Sequence, residues 1–168
     1  MKKILFLCLG NTCRSPMAAG ILQQKATEYG VDLLADSAGF ESFHIGDPPD
    51  KRAIDTTKKF GIDISNHRAR LFRVQDFDNF DTIYVMDHKN YKEASYFARD
   101  DSDLAKLNYL MALLAPGSRE SVPDPFLAEP EACEYVYQIL GKACDAIIDK
   151  VRSEKQTTAY ESDERRNN

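Results

Sequence analysis

The first twenty residues, MKKILFLCLGNTCRSPMAAG, most constrain what this chain can fold into, because an unbroken apolar run leads through a short polar loop straight into a helical pattern. The run KKILFLC reads as a central strand buried on both faces. In RSPMAAGILQQKATEYG, residues Ala18, Ile21, Leu22, Ala26 and Tyr29 keep helical spacing. Ser15 is a candidate N-cap, Pro16 suits the first turn, and Gly30 ends the element. LLADSAG reads as a second strand stopped by Gly39, and FDTIYVMD as a third, with a helical pattern following over 89–99. Between them FESFHIGDPPD is a loop, after which Asp50 can cap a helix running to Phe60. LNYLMALLAP fits strand or helix, and its period does not decide.

The clearest helix comes last. From 131 to 151, residues Cys133, Val136, Tyr137, Leu140, Cys144, Ile147 and Val151 form one apolar stripe. The polar tail SEKQTTAYESDERRNN is expected to be disordered. Alternating strands and helices imply a three-layer α/β sandwich around a central, mostly parallel, four-stranded sheet. One domain is expected over 1–152, with the tail at 153–168. Ligands of such sheets sit at the carboxyl ends of the strands, where the opening loop lies.

A chain of 168 residues, 43% hydrophobic, can bury a core without disulfides or metal. Its net charge of −5 argues against a nucleic-acid partner, so any anion site must be local. No apolar run is long enough for a membrane span. The opening is a poor signal peptide, because Asn11 follows the short run at once and Arg14 falls where cleavage would be expected. A cytoplasmic protein with reduced thiols is expected. The four cysteines form no CxxC pair, and His44, His67 and His88 are scattered, which does not suit zinc. His44 and His88 read as surface residues.

With Cys8 ending a strand and Ser15 opening a helix, backbone N–H groups of Leu9, Gly10, Asn11, Thr12 and Cys13 can converge with the helix N-terminus on one anion. Gly10 lets the backbone bend, and Arg14 adds a planar fork for two phosphate oxygens. The same positive environment favours a thiolate, so the loop can bind a phosphoryl group and aim a nucleophile at phosphorus. The Gly-Lys-Ser/Thr ending of a nucleotide-binding loop is missing. For a bare Cys-x5-Arg pattern, a buried thiol beside a surface arginine is the plainer reading. The strand before, the glycine inside and the Ser-Pro helix start after it favour the anion site.

CLGNTCRSP resembles the signature of the low-molecular-weight protein tyrosine phosphatases, and the likeness runs from residue 3 to about 151. DSAG (36–39), HIGDPPDKRA (44–53), NHRAR (66–70), MD (86–87) and DPF (124–126) fit in order. The resemblance implies that Cys8 is the nucleophile of a phosphocysteine intermediate and that Arg14 clamps the phosphate. It further implies that Asn11, Ser37 and His67 brace the loop and that Ser15 donates a hydroxyl to the thiolate. Asp124 in SVPDPF reads by itself as an ordinary turn residue; the resemblance makes it the general acid, then base. The implied substrate is a phosphotyrosine-containing protein or peptide and the product inorganic phosphate, with no nucleic acid, membrane, metal or organic cofactor involved.

Phe43 and Phe126 are the candidate rim for an aromatic ring, although Phe43 fits a core position as well. Thr12 points elsewhere. Many tyrosine phosphatases of the family have isoleucine there, whereas the branch acting on phosphoarginine has threonine and also reads Asp-Pro-Phe. Phosphotyrosine is the first reading and phosphoarginine the second. Arsenate reduction would need a mid-chain cysteine pair, and no cysteine lies between Cys13 and Cys133. A non-catalytic phosphate-binding module would tolerate loss of Cys8 or Asp124, and both are present. Cys13 is a candidate redox partner that captures oxidised Cys8 as a disulfide, or else a small loop filler.

Overall fold

Strand β1 (Lys2–Leu7) lies in the middle of a four-stranded parallel sheet, between β2 (Leu33–Ala38) and β3 (Thr82–Val85), with β4 (Leu107–Tyr109) outside β3. The structure, a computed structural model, describes residues 1–126, 128–129 and 131–166, and their side chains except at 156 and 158–166. Alternation along β1 divides the core. Ile4 and Phe6 join the apolar cluster on one face, and Leu5 and Leu7 the cluster on the other. The first cluster is closed by α1 (Arg14–Glu28) and α6 (Glu131–Arg166), with Ala53 contributed by α2 (Lys51–Lys59). The second is built on Phe72, Phe77 and Phe80, with α3 (Gln75–Asn79), α4 (His88–Ser95) and the short α5 (Asp101–Leu104) on that part of the chain. The expected three-layer α/β architecture is what the chain adopts.

The stripe on α6 packs as its spacing demands, with Cys133, Val136, Leu140, Cys144, Ile147 and Val151 all buried. Tyr137 stacks on Phe60 at 4.1 Å between ring centroids. Asp50 caps α2 through a hydrogen bond from the Arg52 N–H. LNYLMALLAP is both strand and helix in turn, since β4 passes directly into a 3-10 turn at Leu110–Leu113.

Two expectations are corrected. Cys13, not Ser15, stands at the cap of α1, and it makes no side-chain cap bond. Ser15 sits inside the first turn, fully buried, with its hydroxyl turned to the loop. The backbone of the polar tail is helical over its described residues, because α6 runs on to Arg166. No Gly or Pro interrupts residues 153–166, and extending a helix already nucleated by a packed segment costs little. No helix among the described residues is long and apolar enough to cross a membrane.

From β1 the chain moves to β2 on one side, then crosses back to β3 on the other. The strand order therefore reverses at β1, and a crevice opens at its carboxyl end. Residues 8–15 leave the sheet there.

Candidate active site

Cys8 follows the last residue of β1, is 3% exposed, and places its Sγ 3.0 Å from the Ser15 Oγ. The Ser15 oxygen accepts a hydrogen bond from Asn11 Nδ2 at 2.9 Å, which leaves its own proton to point at the sulfur. Asn11 also donates to Ser37 Oγ at 2.9 Å, and its Oδ1 accepts from the Arg70 backbone N–H at 3.0 Å. These bonds hold Asn11 in the left-handed region, at φ 54°, where a residue with a side chain is otherwise costly. His67 Nε2 lies 3.2 Å from the Asn11 carbonyl and 3.1 Å from its Oδ1. Both are acceptors, so that nitrogen carries the proton. Burial lowers the His67 pKa below its usual value, which keeps the ring neutral.

Gly39, at the end of DSAG, supports the loop from beneath. A Cβ there would lie 2.8 Å from the Leu9 carbonyl oxygen and 2.9 Å from the Asn11 nitrogen, a backbone approach only glycine permits. The next two residues bind the same carbonyl, Phe40 N–H at 2.8 Å and Glu41 N–H at 3.2 Å. On the opposite side the Thr12 carbonyl accepts from the Asp50 N–H at 2.7 Å. The loop is thus tied to β2, to α2 and to the 67–70 segment. The uncapped first turn of α1 has N–H groups suited to an anion.

Arg14 is buried, and its charge is held by named acceptors. Nη1 donates to Asp87 Oδ2 at 3.1 Å and to the Val122 carbonyl at 3.0 Å, and Nη2 lies 3.5 Å from Asp124 Oδ2. Asp87 does two jobs, since its Oδ1 caps α4 by accepting from the Asn90 N–H. Sequence reasoning matched the Met-Asp pair to the family but gave Asp87 no task. An aspartate at the carboxyl end of a strand, followed at once by a helix, is the signal that marks it.

Cys8, Leu9, Gly10, Thr12, Cys13 and Arg14 line a cavity of about 310 Å³, and Asp124 closes another side. Phe43 and Phe126 stand at its edge, 72% and 59% exposed, so Phe43 belongs to the rim and not the core. His44 was expected to be an ordinary surface residue, yet it lines the cavity with Glu41. Its ring packs on Phe43 at 4.4 Å, and its Nδ1 is 2.9 Å from Asp47 Oδ2. The turn at Ser42–His44 bends the chain over Gly10, a placement that residue spacing does not reveal. His88, by contrast, contacts Tyr109.

Cys13 faces two thiols. Interaction with Cys13 brings the Cys133 thiol down to about 7, while the same interaction and burial push the Cys13 thiol well up. With Cys8 it has an electrostatic interaction. Cys144 is fully buried, donates to the Ala18 carbonyl and has its pKa raised by burial, as a core thiol should. All four cysteines are free thiols.

A family model described as low molecular weight phosphotyrosine protein phosphatase matches residues 3–157. The chain is 34% identical to the Bacillus subtilis low molecular weight protein-tyrosine-phosphatase YfkJ, over 93% of this chain and 99% of that one. Its fold superposes on a protein tyrosine phosphatase from Entamoeba histolytica with a TM-score of 0.85 and 30% identity, covering 92% of this chain and 99% of the other. The YwlE arginine phosphatase, with a TM-score of 0.79 over 92% of this chain and 98% of its own, is 22% identical and shares the fold. A match to the family model over residues 3–157, a relative above 30% identity and a Cys-x5-Arg loop at the switch point of the sheet lead to one conclusion: the chain belongs to the low molecular weight phosphotyrosine protein phosphatase family.

Proposed function

We propose that the protein hydrolyses phosphotyrosine, and aryl phosphate monoesters generally, through a phosphocysteine on Cys8. The observation that carries this reading is the Cys8 sulfur at one wall of the cavity, 3.0 Å from a buried hydroxyl, with Arg14 and Asp124 on the same cavity. The phosphate of the substrate sits on the N–H groups of residues 9–14 and on the Arg14 fork. Cys8 thiolate attacks phosphorus, so an S–P bond forms as the P–O bond to the phenol breaks. Asp124 protonates the departing oxygen. Water then loses a proton to Asp124 and attacks the same phosphorus, the S–P bond breaks, and inorganic phosphate leaves.

Depth and ring contacts select the substrate. A phosphotyrosine reaches the cavity floor while its ring lies between Phe43 and Phe126, and a phosphoserine is too short to do both. Thr12 lines the same cavity and supports a second reading, phosphoarginine. The deciding measurement compares kcat/KM for matched phosphotyrosine and phosphoarginine peptides, with Cys8→Ser as the blank. Preference for phosphotyrosine is expected. Preference for phosphoarginine would overturn the substrate, and undiminished activity of Cys8→Ser would overturn the nucleophile.

Cys13 protects that nucleophile from peroxide. Cys8 sulfenic acid, formed by hydrogen peroxide with release of water, condenses with the Cys13 thiol to a disulfide and a second water. Mass spectrometry after peroxide treatment should show a loss of about two hydrogens at a Cys8–Cys13 linkage. Sulfinic acid on Cys8 with Cys13 unmodified would contradict it. Four reduced thiols fit a cytoplasmic setting.

A further inference from the structure

Arg52 is not among the residues that bind or attack phosphate, yet its guanidinium is committed to the far side of the active site. Nη1 donates to the Pro125 carbonyl at 3.3 Å and the Ala128 carbonyl at 3.4 Å, and Nη2 to the Phe126 carbonyl at 3.0 Å. The side chain itself is steadied by Asp50, with Nε 3.2 Å from Oδ1 and Nη2 3.5 Å from Oδ2. Asp50 is also the residue whose N–H binds the Thr12 carbonyl of the phosphate loop. One end of this strut therefore rests on the loop that carries Cys8, and the other on the segment that carries Asp124.

The chemistry of that segment explains why a strut is needed. SVPDPF has prolines on both sides of Asp124, so neither neighbour has an N–H to join a ladder. Of the carbonyls that follow, that of Pro125 also accepts the Ala128 N–H at 3.2 Å, and a planar guanidinium with five N–H groups can serve several at once. The local link to the acid is short. Asp124 Oδ1 accepts the Phe126 N–H at 3.1 Å, while its Oδ2 faces Arg14. Arg52 fixes the Phe126 peptide by its carbonyl, and the N–H of the same residue orients the Asp124 carboxylate.

We propose that Arg52, bridged by Asp50 to the phosphate loop, is a positioning residue that sets Asp124 at the distance and angle needed to protonate the leaving group. The proposal rests on Asp124 being the general acid. The geometry favours this task over one in phosphate binding, because the guanidinium donates to Asp50 and to carbonyls of the acid segment.

The test uses two substrates that differ in their need for a proton, phenyl phosphate and 4-nitrophenyl phosphate, and reads kcat/KM, which covers the step in which the P–O bond breaks. Arg52→Met keeps the aliphatic shaft and removes the fork. It should lose about tenfold on phenyl phosphate but less than about threefold on 4-nitrophenyl phosphate. Inhibition by inorganic phosphate should stay within about twofold of the parent, since the loop donors are untouched. Arg52→Lys, which can reach one carbonyl, should recover part of the phenyl phosphate loss and guards against a folding defect in the methionine variant. Adding Arg52→Met to Asp124→Ala should slow phenyl phosphate no further, because the acid it positions is gone.

Equal losses on both substrates for Arg52→Met, weakened phosphate inhibition, or a further loss in the double variant would each overturn the positioning assignment. The acid reading fails separately. Asp124→Ala by itself would then slow both substrates equally, and the assignment of Arg52 would fall with it.

Discussion

The loop carrying Cys8 and the segment carrying Asp124 face one cavity, yet they are held by different means. Asn11, Ser15 and Ser37 are at most 1% exposed, bonded to one another, and backed by Gly39 and His67. The Asp124 side chain is 51% exposed, is tied to its own segment through the Phe126 N–H, and meets Arg14 at 3.5 Å. What each must do accounts for the contrast. The phosphate loop stabilises charge only if its donors already point inward, because donors that must reorganise lose most of their effect. The proposed acid would have to approach a leaving group, release a proton, then take one from water, and a half-exposed carboxylate on a strutted segment allows that. Buried polar networks suit the first task and tethered loops the second.

Gly39→Ala attacks the rigid half and should give the larger effect. The new methyl would sit 2.8 Å from the Leu9 carbonyl and 2.9 Å from the Asn11 nitrogen, both backbone atoms, so the loop must move. Overpacking of this kind costs about 1–3 kcal/mol, a fall of roughly 3–10 °C in Tm for a chain of this size. Displacing the donors should lower kcat/KM by about a hundredfold. Gly141 is the control, since a methyl there meets nothing within 4 Å and α6 should tolerate it. Parent-like activity in Gly39→Ala would break the comparison, because the phosphate loop would then be as forgiving as the segment opposite.

Which of these features could be read from residue order follows from the distance over which each is decided. β1, the helix after it, the Asp50 cap and the α6 stripe are local patterns of period and capping, and each was legible. That Cys8, Arg14 and the loop between them lie together was legible because the whole proposed anion site falls within one strand-loop-helix. Asp87 reaches Arg14 from 73 residues away, and that pairing exists only once β3 lies beside β1. Arg52 was hidden for a different reason, since its partners at Pro125, Phe126 and Ala128 are backbone carbonyls, which every residue possesses. Likewise Cys13, at the cap of α1, interacts with Cys133, in the first turn of α6, and those two helix starts meet only in three dimensions. The tail misled because polarity indicates exposure, and an exposed segment can still continue a helix.

His67→Gln sharpens the comparison at its smallest scale, because it alters one brace of the rigid half without opening the loop. The glutamine amide can donate where Nε2–H does, so the cost near neutral pH should be about 1 kcal/mol. The informative quantity is the pH dependence. Burial places the folded pKa of His67 below that of the unfolded chain, near 6.5. Above the unfolded value both states are neutral and His67 contributes no slope. As pH falls below it, the unfolded chain takes up a proton while the folded ring stays neutral, so stability is lost until the folded pKa has been passed. Urea unfolding at pH 7.5 and 5.5 should therefore show the parent losing more stability than His67→Gln, with the other titrating groups common to both chains. Equal losses would mean that His67 accepts its proton in place, and that the brace around Asn11 yields more readily than the phosphate loop requires.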